Sequence, residues 1–206
     1  MQIIINDLGI DIWPIGMIIL LITLTILWHR KYAFPYLVCF SLFWIYIMLG
    51  LRETFFPIQI TGDYVRAMRQ MPFTSRVNFK PLYFGQFGLT EGIVVHIIKN
   101  VILTMPFGFG VNFIARYKAK EFLGLSVFVG LGIEAIQLFI SLLLMYPYRV
   151  IDVNDILFNT IGVLIGYGLF RVFAWLFLAM TRQFGIEHAG FSAYIYDMVS
   201  QASVSN

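Results

Sequence analysis

The feature that most constrains this chain is the recurrence of apolar runs of about 20 residues, the length a helix needs to cross the hydrocarbon layer of a membrane. Five such runs lie at 12–28, 33–51, 92–115, 121–146 and 153–180. Because lipid offers no hydrogen-bond partner to the backbone, the runs are predicted to be helices, and the alternating pattern of a β-barrel is absent. The sequence therefore predicts an all-α integral membrane protein, a bundle of about five transmembrane helices.

The first apolar run is predicted to be retained as an anchor. Residues 1–11 carry no Lys or Arg, and no small-residue cleavage site follows the run, so it does not have the pattern of a signal peptide. We therefore predict an N-terminal transmembrane anchor at 1–33 and the main transmembrane domain at 34–182. Within that domain an external polar connection spans 54–90. A cytoplasmic tail at 183–206 follows the domain.

Basic loops predict the orientation of the bundle. In a five-span chain the clusters at 29–31 and 116–120 lie on the same side as Arg182, which places that side in the cytoplasm. The N-terminus is then outside and the C-terminus is cytoplasmic. The connection at 54–90 is external in this topology although it also carries basic residues, because the positive-inside rule weights short loops most heavily. A short surface helix is predicted in it near 64–71.

Polar side chains recur at one depth in the three later runs. With the predicted topology, the residues concerned fall in the outer half of the bundle or on the loop above it: Lys99, Asn100, Glu134, Gln137, Arg149, Asp152, Asp155 and Asn159. A charge at the centre of a transmembrane helix opposes insertion by about 2.5–3.5 kcal/mol, so Glu134 is predicted to face inward. There it pairs with Lys99 or Arg149, or is protonated. The pattern predicts an outward-facing polar pocket.

Simpler roles stand beside this prediction. Asn100, Gln137 and Asn159 are equally compatible with hydrogen bonds between helices, and Lys99 with a side chain that extends to the outer surface. Arg149 with Asp152 also fits a clamp that caps the last helix, where an acidic side chain is favourable. His96 fits an interfacial histidine, since no second His or Cys provides metal-binding spacing. Gly162 and Gly166 have the spacing of a helix-packing seam.

Four blocks of residues, spread over about 52–168, resemble the signature of the VanZ-like family. They are Asn78-Phe79-Lys80-Pro81; Asn100 with Pro106 and Gly108; Glu134-x-x-Gln137; and Arg149-x-x-Asp152-x-x-Asp155-x-x-x-Asn159-x-x-Gly162-x-x-x-Gly166. Lys99 departs from the pattern, in which a small residue precedes the asparagine, and it adds a cation beside the pocket. The resemblance implies a bacterial cytoplasmic-membrane protein linked to low-level resistance to glycopeptide antibiotics such as teicoplanin.

Three functions follow from the pocket and the resemblance. In the first, a non-catalytic envelope protein binds a lipid-linked wall precursor, a membrane lipid or the drug, with Arg149, Arg52 and Lys99 meeting a phosphate or carboxylate. In the second, an enzyme modifies a lipid or wall precursor with Glu134 and Asp155 as an acid/base pair. A small transporter ranks lowest, because the polar residues do not continue to the cytoplasmic side. No metal or cofactor is predicted, and scattered basic residues do not predict nucleic-acid binding.

Overall fold

The structure is a computed structural model that describes residues 9–10, 12–86, 88–115 and 117–204. The described helices are α1 (Trp13–His29), α2 (Phe34–Phe55), α3 (Asp63–Arg69), α4 (Glu91–Gly110), α5 (Ala119–Leu144), α6 (Val153–Phe184) and α7 (Gly190–Val204). The described strands are β1 (Gly9–Ile10), β2 (Ile58–Gln59), β3 (Val77–Asn78) and β4 (Ile151–Asp152). Residues 1–8 and Asp11 of the predicted anchor, and Arg116 of the predicted basic loop, lie outside the described residues.

Four of the described helices are long and apolar enough to cross a membrane. These are α2, α5, α6 and α4, the last continued by a short 3₁₀ turn at Val111–Phe113. The shorter apolar helix α1 has 17 residues, which is a rise of about 26 Å. The prediction of an all-α membrane protein is confirmed, and α1 occupies the position of the first of the five predicted spans.

Helices α4 and α6 form the centre of the bundle and approach each other closely. A Cβ atom added at Gly108 would lie 1.9 Å from the carbonyl oxygen of Val163, and one at Gly166 would lie 1.9 Å from that of Met105. At Gly162 an added Cβ would lie 2.1 Å from the hydroxyl of Thr104. Since real Cβ atoms do not approach backbone this closely, the contact requires glycine on both helices. The seam that the glycine spacing predicted is therefore the packing surface between α4 and α6.

One end of the bundle carries the connection and the α5–α6 loop. Strand β3 pairs in parallel with β4, and β1 pairs antiparallel with β2. The predicted surface helix is present as α3, whose Val65 and Met68 are buried against Tyr146 and Tyr148 of the loop. The C-terminal ends of α2 and α5 and the N-terminal ends of α4 and α6 meet under this cover. We call this end of the molecule the capped end.

The tail folds back as a further helix that no sequence motif predicted. Helix α6 ends before Gly185, whose φ of 58° allows the chain to reverse direction. Helix α7 then packs on α6, with Val199 fully buried against Phe170, Ala174 and Leu178. Residues 190–204 are therefore part of the packed structure at the far end of α6.

Candidate functional site

The buried carboxylate of Asp155 is the centre of the polar cluster at the capped end. Asn100 donates its amide Nδ2 to Oδ1 of Asp155 at 2.6 Å. The His96 Nε2 lies 3.0 Å from Oδ2 and 3.1 Å from Oδ1. His96 and Asn100 are four residues apart on α4 and so share one helix face, while Asp155 lies in the first turn of α6, where the helix dipole favours an anion.

The same two helices are locked together one turn further along. The Thr104 hydroxyl lies 2.9 Å from the carbonyl oxygens of both Asn100 and Asn159, so it donates to one of them at a time. Asn159 is almost wholly buried, with 2% of its surface exposed. The glycine seam begins directly below, with Gly162 against Thr104. The close approach of α4 and α6 therefore fixes the spacing between the polar residues of the two helices.

Glu134 is a buried carboxylate from α5 that holds the start of α6. Its Oε2 accepts a hydrogen bond from the backbone N–H of Asp152 at 3.1 Å. Asp152 is the N-cap of α6 and accepts the backbone N–H of Asn154 at 2.8 Å. Within residues 88–115 and 117–204 no ion pair joins Glu134 to Lys99 or Arg149, the pairing considered from the sequence. The capping role considered for Asp152 is present.

A cavity of about 660 Å³ lies among these residues at the capped end. Its apolar wall includes Ile102, Leu103 and Ile133. Its acidic and basic lining residues are Arg76, Lys99, Arg149, His96, Glu53, Glu134 and Asp155. The guanidinium of Arg149 also lies over the ring of Tyr148, 5.8 Å from the ring centre. The cavity thus offers three basic side chains, while two of its carboxylates already accept hydrogen bonds from the protein.

Two amide oxygens of the cavity lining have no hydrogen-bond partner in the part of the chain that the structure describes. They are Oε1 of Gln137 and Oδ1 of Asn159. The amide nitrogen of Gln137 donates to the carbonyl oxygen of Thr54 at 3.4 Å, so the side chain is held with its oxygen free. An unpaired buried acceptor costs about 1–3 kcal/mol, so these two oxygens are acceptors of the lining residues that the described chain leaves unsatisfied.

A second cavity, of about 440 Å³, adjoins the first. Both cavities are lined by Arg76, His96, Val150 and Asp155. Asp152 lines the second cavity, where its Oδ1 accepts the amide of Asn78 at 2.9 Å. Burial raises the pKa of Asp152 above its ordinary value of 3.8, and repulsion by Asp155 adds to the rise, whereas the hydrogen bonds from Asn154 and Asn78 oppose it.

A family model described as VanZ/LLP1 matches residues 43–175, more than half of the chain and the whole lining of the larger cavity. The chain belongs to the VanZ/LLP1 family. The resemblance noted in the sequence is therefore confirmed. The search of curated proteins and the search of solved structures each found no significant match.

The sequence blocks typical of the family have distinct places in the VanZ/LLP1 region. Asn78 binds Asp152 and also accepts the backbone N–H of Lys80 at 3.0 Å, and the backbone N–H of Leu82 donates to Asn154 at 2.6 Å. The first block therefore ties the connection over the start of α6. The block from Asn100 to Gly108 supplies one donor to Asp155 and one glycine of the seam. The block that begins at Glu134 and the block that begins at Arg149 supply the carboxylates, the other amides and the glycines that face α4.

The structure brings most of the predicted site residues around one cavity. Its lining includes Asn100, Glu134, Gln137, Arg149, Asp155 and Asn159, and also Lys99, whose side chain was assigned either to the pocket or to the surface. Asp152 lines the adjoining cavity instead. Among the described residues, no group of three or more His, Cys, Asp and Glu side chains is arranged to hold a metal ion.

Several lining residues were not recognised as members of the site from the sequence, and His96 and Arg76 are two of them. His96 was interpreted as an interfacial histidine, but it contacts Asp155. The signal that could have identified it is its spacing of four residues from Asn100, which places both side chains on one face of α4. Arg76 lies in the connection directly before β3, and its place follows from the pairing of β3 with β4. No periodicity of the local sequence predicts that pairing.

Proposed function

We propose that this VanZ/LLP1 protein lies in the bacterial cytoplasmic membrane with its capped end outward, and binds the phosphate-bearing head group of an envelope lipid there. The preferred ligand class is a lipid-linked precursor of the cell wall. The observation that carries the proposal is the cavity itself, in which Arg76, Lys99 and Arg149 line one space with uncommitted hydrogen-bond acceptors.

The charges of the lining favour a phosphate group. Arginine and lysine bind phosphate oxygens through charge-assisted hydrogen bonds, and arginine does so with two donors at once. Among the acidic lining residues, Asp155 accepts from His96 and Asn100, and Glu134 accepts from the backbone of Asp152. These two carboxylates are therefore engaged with α4 and with the start of α6. Among the described residues, neither they nor Glu53, the third acidic lining residue, forms an ion pair with the three basic side chains, which are available for an anion.

The unpartnered amide oxygens favour a head group that also carries donors. Gln137 and Asn159, whose Oε1 and Oδ1 atoms are buried and unpartnered among the described residues, line the same cavity as the three basic side chains. A phosphate alone would leave these acceptors unpaired, whereas hydroxyl or amide N–H groups beside the phosphate would satisfy them. Lipid-linked wall precursors combine a phosphate with such groups, and an apolar chain can remain in the membrane. This is why we rank them above the antibiotic itself as the ligand.

Binding measurements on the purified protein test this proposal. In lipid nanodiscs, a fluorescent lipid-linked wall precursor should bind the wild-type chain, and Arg149→Gln should weaken binding about tenfold or more, since a hydrogen bond to a charged group contributes about 1.5–3 kcal/mol. Lys120→Gln is the matched control, because Lys120 is an exposed basic residue at the start of α5, outside the cavity. Equal affinity for both variants would contradict the assignment of the cavity.

Protection against teicoplanin tests the cellular side of the proposal. We expect that expression in a sensitised Gram-positive host protects against the drug, and that Glu134→Gln and Asp155→Asn both lower this protection at equal protein levels. The physical reason is that each side chain positions lining residues through its hydrogen bonds. Full protection by both variants would show that the polar cluster has no part in the function.

An enzyme acting on the same class of lipid is the second candidate. The observation that favours it is the contact between His96 and Asp155, since a carboxylate that orients an imidazole is a common element of catalytic sites. In this arrangement Asp155 accepts hydrogen bonds and orients its neighbours. In this second candidate we assign Asp155 a positioning role, in place of the acid/base pairing with Glu134 considered from the sequence.

A further inference from the structure

His96 and Asp155 lie where the two cavities at the capped end meet, because both residues line both cavities. The imidazole Nε2 is within 3.1 Å of both carboxylate oxygens. The histidine side chain is 57% exposed, whereas the aspartate side chain is 9% exposed. The pair thus consists of a buried carboxylate behind an imidazole that remains accessible to a bound molecule.

The hydrogen bonds around Asp155 determine which nitrogen of His96 is free to react. Asn100 donates to Oδ1 of Asp155 at 2.6 Å, so the carboxylate acts as an acceptor on this side. A neutral imidazole that faces the same acceptor carries its proton on Nε2, and the lone pair is then on Nδ1. The carboxylate also stabilises the positive charge that the ring gains when Nδ1 forms a bond. Nδ1 is therefore an activated nucleophile.

The surroundings of His96 favour an electrophile that is itself anionic. Arg76, Lys99 and Arg149 line the cavity with it, and Lys99 follows it by three residues on the same helix face. Basic side chains stabilise the charge that is spread over phosphoryl oxygens in the transition state. The phosphate-bearing lipid of the proposed function supplies this group, and the inference rests on that function.

We propose that His96 accepts a phosphoryl group and that the protein hydrolyses a lipid diphosphate. Nδ1 attacks the terminal phosphorus, the bond from that phosphorus to the bridging oxygen breaks, and the lipid monophosphate leaves with the oxygen and its electron pair. Nε2 keeps its proton in the hydrogen bond to Asp155. Water then attacks the phosphorus, the nitrogen–phosphorus bond breaks with its electron pair returning to Nδ1, and inorganic phosphate and one proton are released.

The choice of a diphosphate follows from the leaving group. A lipid monophosphate would have to expel an alkoxide, which requires a proton donor. A diphosphate instead expels a phosphate anion that needs no proton, and the basic side chains of the cavity can bind that anion.

The experiment uses the full chain in nanodiscs and farnesyl diphosphate radiolabelled in its terminal phosphate. We expect release of labelled inorganic phosphate and, on rapid quenching, a labelled protein whose bond is stable in alkali and labile in acid, as a phosphohistidine is. His96→Asn should abolish both signals. Asp155→Asn should slow protein labelling about 100-fold while lipid retention persists. His29→Asn, at the end of α1 and away from both cavities, should behave as wild type.

The outcomes separate this inference from the function on which it rests. If the lipid is retained and neither phosphate release nor labelled protein is found, the phosphoryl transfer is wrong and the binding proposal stands. If the lipid is not retained, both the binding proposal and the phosphoryl transfer fail. Phosphate release that persists in His96→Asn would overturn the role of His96, as would release without a labelled protein. Thermal unfolding of each variant in detergent verifies that it is folded.

Discussion

Replacing Gly166 by alanine tests whether the glycine seam holds the site together. The added Cβ would lie 1.9 Å from the carbonyl oxygen of Met105, about 1.5 Å closer than the 3.4 Å at which ordinary contact begins. The atom that it meets belongs to the backbone of α4, so no side chain can turn away to relieve the clash. Helices α4 and α6 must separate locally or the substitution is not accommodated.

The magnitude follows from two opposing effects. Overpacking costs up to about 3 kcal/mol, and alanine in a helix interior is favoured over glycine by about 1 kcal/mol. The net loss of about 2 kcal/mol corresponds to a decrease in Tm of about 4–8 °C for a chain of this size. Separation of the helices by this distance would also lengthen the 2.6 Å hydrogen bond from Asn100 to Asp155, so ligand binding should weaken as well.

Gly168→Ala is the matched control for this experiment. Gly168 lies two residues further along α6, and an added Cβ there would meet nothing within 4 Å. Its Tm should stay unchanged or rise by a few degrees through helix propensity alone, by about 2–4 °C. Thermal unfolding in detergent and binding of the fluorescent wall precursor are the measurements. Equal Tm values for the two alanine variants would refute the argument that the seam is closed by backbone contact.

Three further predictions concern the capped end. Asn100→Ala removes a donor from a buried carboxylate and should lower the free energy of unfolding by about 1.5–3 kcal/mol, measured by denaturation in detergent. The pKa of Asp152 is raised above 3.8 in the folded chain, so the free energy of unfolding should fall as pH rises through that raised pKa. Asp152→Asn should reduce the slope of the free energy of unfolding against pH. An unchanged slope would contradict the assignment of this dependence to Asp152. Val150→Cys, in a chain with Cys39→Ser, should react with an impermeant thiol reagent added outside the cell; labelling from the cytoplasmic side alone would reverse the topology.

Hydropathy and helix geometry were sufficient to predict the main helices and to predict that their polar residues meet at one level of the bundle. The rise of a helix per residue fixes how far Asn100 lies from the start of α4 and how far Glu134 lies from the end of α5. Both positions can therefore be counted along the sequence, and the structure has both residues in one cavity lining. The glycine seam was also predictable, because the spacing of Gly162 and Gly166 repeats on one face of a helix.

Contacts between distant segments could not be predicted in the same way. The bond from His96 to Asp155 depends on the rotation of α4 about its axis, which the glycine contacts set and hydropathy does not. The parallel pairing of β3 with β4 involves two residues from each strand, too few for a periodic pattern. Helix α7 was missed because its composition is mixed, although Val199 is fully buried against α6.

Helix α4 packs mainly against α6 and not against α5, the next long helix in the chain. This has a consequence for biogenesis. When α4 leaves the ribosome, the partner of Asn100 is still more than fifty residues away along the chain, in a helix that has not been synthesised. The carboxylate of Glu134 likewise awaits the backbone N–H of Asp152, which follows α5 in the chain. Helices α4 and α5 must therefore remain in a protected, partly aqueous environment such as the translocon until α6 arrives, and the three helices should enter the lipid as a unit.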